Sequence, residues 1–233
     1  MDLGIKIKMI LFNLSALNIH NFGAHSEEFN PMMKRKTKAA LFASILLLSL
    51  TPVLAQTVNL IRVPLIRQST DYTCGVAALQ ALLAYYGQDV REDLLSKALH
   101  AQHKSGTRYK NIANYAQQHG LSVKIWKEMS VDELRQSLKA GHPVLCLIQA
   151  WPDKKTDFAL DWDDGHYVVA VGFDDQKFVF MDPSTAGHYT YIPVEEFFQR
   201  WHDLDGKEKL NHFGMSIWKE GGSYDPDKLE RLN

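Results

Sequence analysis

The chain has 233 residues, 26 of them Lys or Arg and 27 Asp or Glu, for a net charge of −1 with histidine neutral. That balance argues against nucleic acid as the main partner. An apolar fraction of 45% with 11% aromatics supplies a core and excludes a chain that is mainly disordered.

The densest basic run, Lys34-Arg35-Lys36-Thr37-Lys38, follows Met33 and precedes the apolar stretch from Ala39 to Leu50. Thr51-Pro52 breaks that stretch, and Val53-Leu54-Ala55 puts small residues where a signal peptidase reads them. A charged start, an apolar middle and an A-x-A-like end make a secretory signal over 33–55. The apolar part is shorter than the ~20 residues that cross a bilayer. An uncleaved membrane anchor is the alternative, and membrane association is expected only in that case. Residues 1–32 read as an extra segment upstream of a candidate start at Met33, and 56–233 as one domain. The protein is therefore expected to be exported, to a periplasm or the medium.

From Gln56 onward there is no repeat and no Pro/Gly-rich linker. Val58 to Val63 reads as a strand stopped by Pro64. A helix begins at or just after Cys74, with Val76, Leu79, Leu82, Leu83 and Tyr86 as one apolar stripe and Gly87 as its left-handed end. Arg91 to His100 predicts a short helix with Leu94, Leu95 and Ala98 inward. Thr107 is the expected N-cap of a helix through Ile112, Ala113 and Ala116 to Gly120. Leu121 to Trp126 alternates as a half-buried strand, and Ser130 with Glu133 forms a capping box for a helix ending near Gly141. Pro143 to Trp151 reads as a central strand. Tyr167–Gly172 and Phe178–Met181 read as a hairpin, with further strands at Tyr189–Ile192 and Phe213–Trp218. Helices first and strands second indicate α+β, an N-terminal helical half packed on an antiparallel sheet.

Two cysteines differ in setting. Cys74 stands in a polar turn leading into the first helix, where the positive end of the helix dipole favours thiolate. Gly75 lets the backbone approach a substrate carbonyl, leaving main-chain N–H groups for an oxyanion. Cys146, among Val144, Leu145, Leu147 and Ile148, reads as a buried apolar residue. His166 opens a central strand, a good position for a general base, and Asp182 ends the return strand. If the hairpin centres on Asp174, residues 166 and 182 face each other, whereas a slip of one residue would turn Asp182 away. Each residue also has an ordinary reading: a helix-start core cysteine, a strand-end histidine, an Asp-Pro turn.

Gln68, five intervening residues and Cys74-Gly75, then Gly165-His166-Tyr167-Val168-Val169 and Met181-Asp182-Pro183, resemble the bacteriocin-processing cysteine peptidases. These are the papain-like domains that cut double-glycine leaders in exporting ABC transporters. The resemblance runs from about Val63 to Trp201. It implies a papain-like fold, Cys74 as nucleophile, His166 as base, Asp182 as orienting acid, Gln68 as oxyanion-hole side chain, and a peptide or protein substrate. Two features depart from the family: Thr73 stands where the transporters usually carry Asp, and no G-x-x-x-x-G-K-S/T phosphate loop occurs, so no ATP-binding motif accompanies the peptidase. A free-standing exported member acting on another peptide, an isopeptide or an amide fits this pattern.

Among the ten histidines, His100 and His103 lie near a helix end without a cysteine pair or a His-Glu-x-x-His pattern, and read as surface; no metal or other cofactor is expected. Asp161, Asp163 and Asp164 read either as a solvated loop or as a cleft wall that favours basic substrates and raises the imidazole pKa. Trp151 and Trp162 bracket a loop that either overhangs the cleft or packs beneath it. Three alternatives to peptide hydrolysis stay open: thiol acyl transfer of the transglutaminase kind, a non-catalytic peptide-binding module, and a Cys74–Cys146 disulfide.

Overall fold

The computed structural model describes residues 60–152, 156–221, 224–229 and 231. The expected extra segment, the signal and the first residues of the expected strand at Val58 lie outside them.

Three helices come first: α1 (Cys74–Tyr85), α2 (Glu92–Ala98) and α3 (Tyr109–Gln118). Strand β1 (Ser122–Trp126) and helix α4 (Val131–Lys139) precede β2 (Val144–Gln149), β3 (Gly165–Phe173), β4 (Lys177–Met181) and β5 (Thr190–Pro193). Helix α5 (Val194–Arg200), a ribbon of β6 (His202–Asp205) and β7 (Glu208–Asn211), and β8 (Gly214–Trp218) complete the chain. Six strands form one antiparallel sheet in the order β1-β8-β2-β3-β4-β5.

Every residue of β2 is buried, as are all but the two ends of β3. This matches their nearly unbroken apolar sequence, because a strand covered on both faces has no polar side to show. Helix α1 packs on β3, α4 on β2 and β3, and α5 on β2, β4 and β5. The α1 core stripe of Val76, Leu79, Leu82 and Leu83 is wholly buried, and Tyr86 nearly so. Among the described residues no helix is long and apolar enough to cross a membrane.

The helix ends follow their local signals. The capping box is complete: Glu133 N–H donates to Ser130 Oγ (3.2 Å) and the Ser130 N–H donates to Glu133 Oε2 (2.9 Å). Gly87 and Gly120 sit in the left-handed region after α1 and α3, at φ +77° and +80°. At α3 the Gly120 N–H donates to Gln117 O (3.1 Å) and the Leu121 N–H to Ala116 O (3.0 Å), the two bonds of a Schellman motif.

Four expectations need correction, and two elements add to those expected. Residues 60–63 form no strand; the Ile61 N–H donates to Val171 O (2.8 Å) and the Tyr189 hydroxyl donates to Val63 O (2.7 Å). Val171 is the residue where the β3–β4 ladder is irregular, so its carbonyl is free to take Ile61. On α2 the inward residues are Leu95 and Leu99, four apart, while Leu94 and Ala98 are exposed. Thr107 caps nothing: Arg108 is the N-cap of α3 and makes no side-chain cap bond. The β3–β4 register sets Val169 opposite Met181, two residues from the pairing that would put 166 opposite 182. Helix α5 and the β6–β7 ribbon are the additional elements. Phe197 buries α5 against Phe178 and Phe180, each ring 5.2 Å away, and the Asp205-Gly206 pair at the ribbon's turn was the signal that would have exposed it.

Candidate active site

Cys74 is the first residue of α1 and is 9% exposed. The N-cap, Thr73, makes no side-chain cap bond to the helix; its hydroxyl is engaged with Thr70, whose N–H donates to it at 3.3 Å. The N–H groups that any helix start leaves unpaired therefore meet no side-chain cap next to the thiol. Gly75 has a packing reason that the sequence did not reveal. A Cβ there would meet Tyr167 Cδ2 at 2.9 Å and Thr107 Cβ at 3.1 Å, so the absent side chain lets α1 close onto β3.

His166, the second residue of β3, is 1% exposed. Its Nε2 lies 2.8 Å from Asp182 Oδ1. The same oxygen accepts from the Ser184 N–H and the Ser184 hydroxyl, both at 2.8 Å, and the Thr185 hydroxyl donates to Oδ2 at 3.2 Å. Burial works to lower the imidazole pKa, but the hydrogen bond to Asp182, with the Cys74 sulfur and both partners' charges, outweighs it and raises the value to about 9. Burial likewise pushes the Asp182 carboxyl up, and the His166 and Ser184 bonds overcome that and hold it at about 2. The His166 Nδ1 is buried without a well-formed hydrogen bond, on a ring close enough to Cys74 to feel its sulfur. The Trp151 ring packs over the imidazole with centroids 4.9 Å apart, from a backbone at φ +49° that bulky residues rarely adopt.

The structure thus brings Cys74, His166 and Asp182 together. The two-residue register shift explains why the pair survives a mistaken pairing. Side chains alternate with period two, so a shift of two keeps Asp182 on the face of His166, now as a diagonal neighbour. Gln68 is tied to the same corner, its N–H donating to Pro183 O at 2.9 Å. Its side-chain amide is turned elsewhere, donating from Nε2 to Thr70 O at 2.7 Å, with Oε1 buried and unpartnered. Cys74 and Cys146 are both free thiols, and burial in β2 pushes the Cys146 thiol up. A nucleophilic sulfur at a helix start, beside an imidazole oriented by a carboxylate, can form and break an acyl thioester.

A cavity of about 480 Å³ opens beside Cys74, lined also by Thr107, Trp151, Trp162, Tyr167 and Asp203. A larger one of about 670 Å³, between the Ser69–Thr73 turn and α2, contains neither Cys74 nor His166. The acidic loop is partly ordered by itself, the Asp163 N–H donating to Asp161 Oδ1 (3.1 Å) and the Asp164 N–H to Gln149 Oε1 (3.0 Å). The imidazole shift is driven by Asp182 and Cys74, with this loop absent from its leading causes. Asp203 and Asp205, on the β6–β7 ribbon, and Thr107, just before α3, complete the cavity wall.

The model of the Peptidase_C39 like family matches residues 60–208. The Escherichia coli colicin V secretion/processing ATP-binding protein CvaB is 28% identical over 135 residues, which is 58% of this chain and 16% of that protein. The chain therefore spans about a sixth of that curated relative's length. A Bacillus anthracis protein assigned as a C39-like peptidase superposes with a TM-score of 0.53 at 21% identity, covering 70% of this chain and 98% of that one. The peptidase domain of Streptococcus ComA, a bifunctional ABC transporter, superposes with a TM-score of 0.49 at 18% identity, covering 66% and 97%. The first of these structures shows the fold: helices packed on an antiparallel sheet, as in papain-like C39 peptidases.

Proposed function

The chain belongs to the Peptidase_C39 like family, whose members are cysteine peptidases, and on that premise we propose that it hydrolyses peptide bonds through Cys74, His166, Asp182 and Gln68. The observation that carries this reading is the 2.8 Å bond from His166 Nε2 to Asp182 Oδ1, on a ring whose Nδ1 stays unpartnered beside Cys74. With Nε2 tied to the carboxylate, Nδ1 is the nitrogen that exchanges a proton with sulfur. The Cys74 thiolate attacks the carbonyl carbon, and negative charge collects on the carbonyl oxygen at the start of α1. Backbone N–H groups there and the second amide hydrogen of Gln68 Nε2 hold that charge. The imidazolium gives its proton to the leaving amine, the thioester remains on Cys74, and water activated by the neutral imidazole releases the acid and restores the thiol.

The stretch of charged, apolar and small residues over 33–55 supports an exported enzyme acting on a peptide or protein outside the cytosol. The test is cleavage of a peptide library by the protein, compared with Cys74→Ala. Specific cuts that disappear in the variant are expected; cuts that persist, or none by the wild type, would overturn the assignment.

A further inference from the structure

The cavity beside Cys74 is markedly acidic. Asp71, Asp163, Asp164, Asp203 and Asp205 line it, drawn from three stretches of the chain. The basic residues on its wall are His103 and Lys104. His103 faces Asp71 at 3.9 Å, and Arg108 bonds Asp205 at 3.2 Å, so these two carboxylates are partly answered from within. Among the described residues, Asp163, Asp164 and Asp203 have no such partner.

Asp203 is the buried member, 8% exposed, with Gln149 Nε2 donating to its Oδ1 at 3.2 Å. Among the described residues no lysine or arginine forms an ion pair with it. Its carboxylate lies against the Cα of Gly165, in the space where any side chain at 165 would stand. A buried carboxylate with no paired lysine or arginine is costly to keep, and burial raises its pKa to about 6 against the lowering effect of its hydrogen bonds and of the His166 charge. A second feature points to a ligand independently. Thr107 lines the cavity at 3% exposure, and its hydroxyl has no hydrogen-bond partner. Trp151 and Trp162 add aromatic walls, and the Trp162 ring already carries the Lys209 ammonium 4.6 Å from its centroid.

We propose that this cavity is a specificity subsite for a cationic substrate side chain, lysine or arginine, with Asp203 as its paired carboxylate and Thr107 as a further acceptor. The tryptophans carry the aliphatic stem. Which side of the cleaved bond this residue occupies follows from the test. The proposal rests on Cys74 as the reacting group, so one arm of the test is independent of peptide cleavage.

In that arm, Cys74 is modified by three methanethiosulfonates: cationic trimethylammonioethyl, neutral methyl and anionic sulfonatoethyl. In each case the thiolate forms a mixed disulfide and methanesulfinate leaves. Rates are normalised to those of a free small thiol. The cationic reagent is expected to outpace the anionic one by about 100-fold at low salt, and Asp203→Asn to cut that ratio about tenfold. Asp163→Asn, at an exposed position, is expected to reduce it about threefold without risk to the fold. A normalised ratio near one, or a ratio that neither variant changes, would overturn the subsite. In the second arm, peptides carrying Lys, norleucine or Glu at each position flanking the cut are compared by kcat/KM. At one position Lys is expected to exceed norleucine by tenfold or more, and the advantage to vanish in Asp203→Asn. Equal rates for Lys and norleucine at every position would also overturn the subsite. Cation preference in the thiol arm with no peptide cleaved would sink the peptidase reading and leave the subsite standing.

Discussion

At the scale of single residues, His166 is almost fully buried yet binds its proton more tightly than a free imidazole. Asp182 is responsible, and Ser184 and Thr185 fix its carboxylate so that it cannot turn away from the ring. The folded His166 value of about 9 lies above the ordinary 6.5, so its stabilisation is complete below 6.5 and lost as pH rises through 9. Asp182 is the reverse case: held at about 2 against 3.8, it stabilises above 3.8 and fails as pH falls through 2. Asp182→Asn removes the charge and leaves only a neutral amide oxygen to accept from the ring. It is expected to lower kcat by about 10²–10⁴-fold with the fold intact, and to move the alkaline limb of the rate of Cys74 alkylation below its wild-type position near 9. Unchanged turnover and an unchanged limb would mean that another group holds the imidazole. Asp203 has the opposite sign to Asp182, since its value is raised to about 6 from 3.8. Its charge destabilises the fold increasingly between those values and fully above 6, by about 3 kcal/mol. Asp203→Asn keeps the acceptor for Gln149, and is therefore expected to raise the unfolding free energy at pH 7.5 and to have little effect at pH 4. Thermal unfolding at both pH values measures this, and equal effects at both would refute the electrostatic account.

At the scale of elements, α1 does two jobs: its buried stripe anchors the helical half to β3, and its uncapped start presents Cys74. The close approach runs through Gly75, whose missing side chain makes room for Tyr167 and Thr107. The β3–β4 hairpin tolerates a register that differs by two, but not by one, because only an even shift leaves His166 and Asp182 on one face. The end of α3 offers a clean measure of backbone strain. Gly120 has φ +80° and nothing within 4 Å of where a Cβ would stand, so an alanine there meets no clash and pays only for the left-handed backbone. Gly120→Ala is expected to lower stability by about 1 kcal/mol. Urea unfolding should show a lower midpoint at an unchanged slope, and an unchanged midpoint would show that the helix end relaxes at no cost.

At the scale of the whole molecule, the export reading predicts that the protein recovered outside the cytosol begins at or near Gln56. N-terminal sequencing that found Met33 or the upstream residues intact would refute cleavage and favour the anchor. Much of the remaining architecture follows from local physics already written in the chain. The polar turn into an apolar stripe at Cys74, the Ser130–Glu133 box, the left-handed glycines after the helices and the unbroken apolar runs of β2 and β3 each need only near neighbours to form. Those signals also put a thiol, an imidazole and a carboxylate at element ends, and period-two alternation let His166 and Asp182 share a face even under a mistaken pairing. What lay beyond the sequence depends on contacts between distant segments. The bulge at Val171 that sets the register is satisfied by Ile61, and Gly75 owes its identity to Tyr167 on another element. Asp203, 37 positions past His166 in the chain, reaches the cavity only because the β6–β7 ribbon folds against Gly165 and Gln149. Its charge and the unpartnered Thr107 hydroxyl acquire meaning from burial. Burial is a property of the assembled chain, since it is set by which distant atoms displace water from a side chain rather than by the side chain's own neighbours in sequence.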